Sequence, residues 1–122
     1  MRSWPSLVVA LLLLGCGNDH TLDGTDIVTG DDCETSYLTY RNFGEPFALD
    51  WCRGCHSAEV PAGMRQKAPL DTNFDTHEDV MQWRERIAKR ATGEVPTMPP
   101  AGGPGAEERA LLAEWLACGA KQ

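Results

Sequence analysis

Several things that other protein classes require are scarce in this sequence. Its longest apolar run, Leu7 to Leu14, is eight residues, where a membrane-crossing helix takes roughly twenty. It has no strand-like alternation of useful length and no internal repeat, which disfavours a sheet protein or a solenoid. Basic charge is also short. The chain carries a formal charge of −7, and residues 33 to 122 hold 13 acidic and 10 basic residues. A mildly acidic domain of that balance lacks the electrostatic footprint of a nucleic-acid binder. At 122 residues there is length for one small domain, and so few residues make a thin core.

The N-terminus, MRSWPSLVVALLLLGCG, has Arg2 as a short positive region ahead of the apolar run. That pattern suits a secretory signal. The run ends at Leu13-Leu14-Gly15-Cys16, which resembles the lipobox of bacterial lipoproteins and implies acylation of Cys16 after removal of residues 1 to 15. An ordinary cleaved signal is the alternative. More than one acyl chain gives stable attachment, so the expectation is an exported chain, lipid-anchored on the periplasmic side. Gly17 rather than Asp after the cysteine points, by resemblance to enterobacterial sorting, to the outer membrane. Residues 17 to 32 contain five aspartates, no Lys or Arg, and few large apolar groups. Such a segment cannot offset its ordering entropy, and the expectation for residues 16 to 32 is a flexible acidic tether ahead of a domain spanning 33 to 122.

Trp51-Cys52-Arg53-Gly54-Cys55-His56 carries the chemistry. On a helix, positions i, i+3 and i+4 share a face, so Cys52, Cys55 and His56 would point the same way. Two thiols one turn apart match the two vinyl groups of a haem, and the adjacent histidine can take the iron; CxxCH is the attachment pattern of c-type haem. Two other chemistries use paired cysteines. A thioredoxin-like redox site belongs to a βαβ unit, which is missing here, as is the proline usual between the cysteines. Zinc wants four ligands, usually in two separated pairs, and only Cys33, Cys118 and His77 remain, scattered. Cys33 and Cys118 flank the domain, and in an oxidising compartment a leftover pair is expected to be bridged. Closing so long a loop stabilises by about 4 kcal/mol in the chain-entropy account. Two unrelated buried thiols are the alternative.

Electron transfer through a haem calls for a second axial ligand, and Met/His ligation is the arrangement in electron-transfer cytochromes c. The candidates are Met64, Met81, Met98 and His77. Met98 lies 42 residues after His56 in VPTMPPAGG, a stretch with three prolines and two glycines. Proline fixes φ and removes a donor, so the loop has little freedom to lose in presenting a thioether. Met81 falls in a helical pattern and reads as core, Met64 sits in a Gly-rich connection, and His77 is expected to be exposed beside a helix cap.

Three stretches, LTYRNFGEPFALDWCRGCHS, NFDTHEDV and VPTMPPAGGPGAEERALLAEWLACGA, resemble class I-type monohaem cytochromes c, in particular small exported bacterial ones. Together they span nearly all of residues 33 to 120. The resemblance implies an all-α fold of three to four helices around one covalent haem c. It places Cys52 and Cys55 on the haem, His56 as proximal and Met98 as distal iron ligand. It implies a monomeric electron carrier exchanging electrons with donor and acceptor proteins, without enzymatic activity of its own. A haem sensor or oxidoreductase subunit with an open distal site is the alternative, and a thiol oxidoreductase a more distant one. Gly105 departs from the Ser or Thr common in relatives, although glycine also caps.

The residues independently spell helices. Tyr40, Phe43, Phe47 and Trp51 recur at three- and four-residue intervals, with regular helix expected from about Glu45 and Pro46 in its first turn. An irregular loop is expected over 57 to 75, then a helix capped by Thr76 with Val80, Trp83 and Ile87 inward. Its far end carries Arg84, Arg86, Lys89 and Arg90, suited to the helix dipole and read as a solvated face. The last helix starts after Gly105, turns Leu111, Leu112, Trp115 and Cys118 inward, and stops at Gly119.

Overall fold

A computed structural model of the chain describes residues 30 to 122. The expected signal segment, Cys16, His20 and most of the acidic stretch lie outside the described residues. Among the described residues four α-helices, α1 (Gly30–Thr35), α2 (Glu45–Trp51), α3 (His77–Ala91) and α4 (Ala106–Ala117), account for the regular structure, with a π-helical turn at Tyr40–Gly44 and a short 3-10 turn at Ala62–Met64. No strand occurs among the described residues, so the all-α class is as expected. α1 begins ahead of the expected domain start at residue 33. No helix among the described residues is long and apolar enough to cross a membrane.

The run from Tyr40 to Trp51 is continuous but changes pitch where its sequence demands. Thr39 caps it, its hydroxyl accepting from the Asn42 amide while the Asn42 side chain accepts from the Thr39 amide. This reciprocal pair satisfies two donors that a helix start leaves open. Pro46 has no N–H to give, and the turn before it widens: the amides of Phe43 and Gly44 share the Thr39 carbonyl at 3.0 and 3.1 Å, and Glu45 donates back to Tyr40. Regular α-helix then starts at Glu45 with Pro46 in its first turn. Gly44 sits where this run meets α4. A Cβ there would lie 2.3 Å from the Trp115 ring, so any side chain at 44 would displace the most completely buried aromatic in the core. Tyr40 and Phe43 complete the contact, with ring centroids 6.3 and 6.1 Å from Trp115.

α3 is capped by Thr76 and Asp79 as a second reciprocal pair, and Val80 is buried with Trp83 and Ile87 packed against the core. α4 has only glycine at its N-cap. Its end is firmer: Ala120 donates to the Trp115 carbonyl and Gly119 to that of Leu116, with Gly119 at φ +87°. That is a Schellman close, in which glycine takes the left-handed position at little steric cost. Cys33 and Cys118 stand at disulfide distance, S–S 1.99 Å and Cα–Cα 5.2 Å, tying α1 to the end of α4. Lys121 reinforces the seam by donating to the Cys33 carbonyl at 2.6 Å. The core they enclose is Leu38, Phe47, Phe74, Val80, Leu112, Trp115 and Leu116.

Candidate functional site

α2 ends at Trp51, and Cys52 is its C-cap. Cys52, Cys55 and His56 therefore occupy a turn following the helix rather than a helix face, because the exposed Gly54 and the C-cap geometry of Cys52 end the regular repeat. They are still gathered by the backbone. The amides of Cys55 and His56 both donate to the Cys52 carbonyl, at 3.1 and 2.9 Å. Both thiols are free. Burial pushes the Cys52 thiol up to about 12, which disfavours its thiolate near neutral pH.

His56 is half-buried, tilted against Phe74 with ring centroids 4.8 Å apart. Its Nδ1 lies 2.9 Å from the Thr72 carbonyl. A carbonyl only accepts, so Nδ1 carries a proton, and Nε2 is the nitrogen left to bind a metal. This is the second-shell arrangement that fixes tautomer and ring orientation in metal-ligating histidines.

The acceptor is held by a residue that sequence reasoning passed over. Arg65, 1 % exposed, lies inside the 57–75 loop and donates to five oxygens: the carbonyls of Ser57, Ala68, Pro69 and Thr72 and the Asn73 Oδ1. Asp75 does similar work at the other end. Its carboxylate accepts from Arg53 at 3.1 Å and from the Ala58 amide at 2.8 Å, so it grips the motif on both sides of His56. Burial tends to raise the Asp75 carboxyl, but hydrogen bonds from Ser57 and Ala58 and the charge of Arg53 outweigh it and hold the group below 3.8. Nothing in the sequence set Arg65 apart from Lys67 in the same polar loop, and nothing marked the Thr72 carbonyl.

Met98 lies on the loop between α3 and α4 and is 38 % exposed. Its amide and that of Thr97 both donate to the Arg90 carbonyl at the end of α3, at 3.0 and 2.8 Å. Arg109 on α4 closes the loop at its base, donating to Gly93 at 3.0 Å and Pro104 at 2.8 Å. The other distal candidates stand differently. His77 is half-buried rather than exposed, with Nε2 2.7 Å from the Ala120 carbonyl and its ring against Tyr40. Met81 is exposed rather than core, and Met64 is 68 % exposed on the 3-10 turn. Of the basic cluster, Arg86, Lys89 and Arg90 are exposed.

A small apolar cavity of about 10 Å³ reaches Cys52 between Phe47, Phe74, Val80, Ile87 and Leu112. It has room for about one water, so a large group at the motif would be approached from the exposed side of the half-buried Cys55 and His56. The donor set fits a c-type haem: two free thiols, an adjacent histidine with Nε2 left to bind a metal, and apolar side chains behind them. It fits zinc less well, since no group of three or more His, Cys, Asp or Glu among the described residues is placed to hold a metal ion.

No family model, curated protein or solved structure matches this chain.

Proposed function

We propose that this protein is a one-electron carrier of the class I cytochrome c type, exported and lipid-anchored through Cys16 by the N-terminal segment. The observation that carries the reading is the His56 Nδ1–Thr72 contact of 2.9 Å on the same turn as two unbridged cysteines. Cys52 and Cys55 would hold haem c as thioethers and His56 would bind the iron through Nε2. A haem supplies the ferric–ferrous couple, and the protein contributes orientation, burial and tuning of the potential. The chain's own part is positional. Thr72 accepts the hydrogen bond from Nδ1, Phe74 packs against the ring, and Asp75 holds the Arg53 side chain inside the motif and the Ala58 amide just beyond it. Met98 would present its thioether as the distal ligand from a loop fastened at Arg90 and Arg109. The partners are redox donor and acceptor proteins at the same membrane, reached by a domain on a tether.

One observation favours a second reading, a haem sensor or oxidoreductase subunit with an open distal position. Met98 is more than a third exposed, on a loop with few bonds of its own. A thiol oxidoreductase is less well supported, because an attacking cysteine is activated by a lowered thiol pKa and that of Cys52 is raised.

The test is an absorption spectrum, oxidised and reduced, of protein made in a host that matures c-type haem. A low-spin haem with a thioether–ferric charge-transfer band, lost in Met98→Ala, supports the carrier. Rapid, tight carbon monoxide binding by the reduced native protein would replace it with the sensor.

A further inference from the structure

Thr72 offers one carbonyl oxygen to two donors. His56 Nδ1 approaches it at 2.9 Å and Arg65 Nη2 at 3.1 Å. The guanidinium is therefore no more than about 6 Å from the imidazole, the two bonds laid end to end. Its five oxygen partners in the loop are carbonyls and one amide, none of them a carboxylate. A guanidinium is effectively always protonated, so a full positive charge is fixed next to the proximal histidine with no anion among these partners to cancel it.

We propose that Arg65 is a positioning residue that sets the electron affinity of the site through Thr72 and His56. This rests on the haem reading above. Two effects act with one sign. Coulomb repulsion in a region of low effective dielectric disfavours whichever redox state carries the extra positive charge, which is the oxidised one. The same cation also draws density from the shared carbonyl, making it a poorer acceptor for the Nδ1 proton. The imidazole is then less anionic and a weaker donor through Nε2, which again disfavours the oxidised state. Arg65 thus ties the potential to the packing of the 57–75 loop.

Equilibrium redox titration of the haem-loaded full chain tests it with three variants. At the solution potential that half-reduces the native protein, Arg65→Gln is expected to lower the reduced-to-oxidised ratio about tenfold. Asn73→Asp leaves Arg65 in place and puts a carboxylate where Oδ1 accepts at 2.9 Å; it should shift the ratio in the same direction by roughly threefold. Arg65→Lys keeps the charge but has fewer donors, so it should stay within about twofold of native while losing stability. Native ratios in both Arg65→Gln and Asn73→Asp would overturn the proposal. So would an Arg65→Lys ratio as low as that of Arg65→Gln, which would mark a purely structural role. If Arg65→Gln does not fold, Asn73→Asp decides, and an unmoved ratio there overturns it. A native protein that carries no covalent haem would instead remove the functional reading and this inference with it, a result distinct from haem-bearing variants with unmoved ratios.

Discussion

The two loops on either side of α3 pose the same problem and solve it differently. Residues 57 to 75 and 92 to 105 both lack regular structure apart from one 3-10 turn, so their backbone polar groups need partners from elsewhere. The first loop folds around Arg65, whose guanidinium takes up five of its oxygens. The second is hung from outside, by the Arg90 carbonyl at the end of α3 and by Arg109 across its base. Val95 at 87 % exposure shows how far that loop stands out. A loop closed around a buried cation opens only by giving up several hydrogen bonds at once, whereas one fastened at its edges has an outer part, residues 93 to 103, that is exposed or half-buried throughout and can move more freely. The proposed proximal histidine is on the first kind of support and the proposed distal methionine on the second.

The largest effect expected on this contrast comes from Arg65→Ala. Five oxygens lose their donor at once, and unfolding in denaturant should show a loss of about 4 kcal/mol. An exchange measurement would show the Phe74 and Ala68 amides losing protection. A loss below about 1 kcal/mol would break the contrast, because the first loop would then be no better secured than the second.

Next is Asp75→Asn, expected to cost about 2 kcal/mol at neutral pH. The folded carboxyl is held below its ordinary 3.8. Its contribution is thus fully present above that value and lost as pH falls through the lower folded-state value. The native protein should weaken over that acid window, and the variant should be flatter there. Equal acid slopes for the two proteins in thermal unfolding would remove Asp75 from the account.

How much of this was legible in the sequence follows from what kind of group each role uses. The helices were readable because caps and apolar spacing are side-chain signals: Thr76 and Asp79, Pro46 after Gly44, and Gly119 after Cys118 fell where their chemistry sends them. Cys52, Cys55 and His56 were readable as a spaced motif, and Cys33 and Cys118 as the leftover pair. Thr72 was not, because its contribution is a backbone oxygen that any residue could supply. Arg65 was hidden because a loop arginine defaults to solvent, and only three-dimensional closure of the loop turns it inward. His77 and Met81 reversed their expected exposures for a related reason. The cap position does not reveal that Ala120 returns to meet the His77 ring, and helical spacing does not say which face the neighbouring elements leave open.

On the distal side the effects should be smaller. Arg109→Ala removes two half-exposed hydrogen bonds, and a loss of about 1 kcal/mol is expected. Exchange should quicken in the distal loop, beginning at the Thr97 and Met98 amides, while Phe74 keeps its protection. If Phe74 also lost protection, the two loops would be one cooperative unit. Arg90→Ala should change stability by less than about 0.5 kcal/mol, because the loop hangs from the Arg90 backbone and its side chain makes only a 3.4 Å contact to Thr97. A larger loss would show that the basic end of α3 supports the loop through side chains as well.

Everything proposed of the function depends on covalent haem at Cys52 and Cys55, with His56 as an iron ligand. Its most direct test is the intact mass of the full chain from a haem-c-maturing host, taken after acidic organic extraction and paired with thiol titration. The expected result is a chain heavier by one haem that extraction does not remove, with neither Cys52 nor Cys55 available to alkylation. A chain at its apoprotein mass with both thiols alkylated would contradict it.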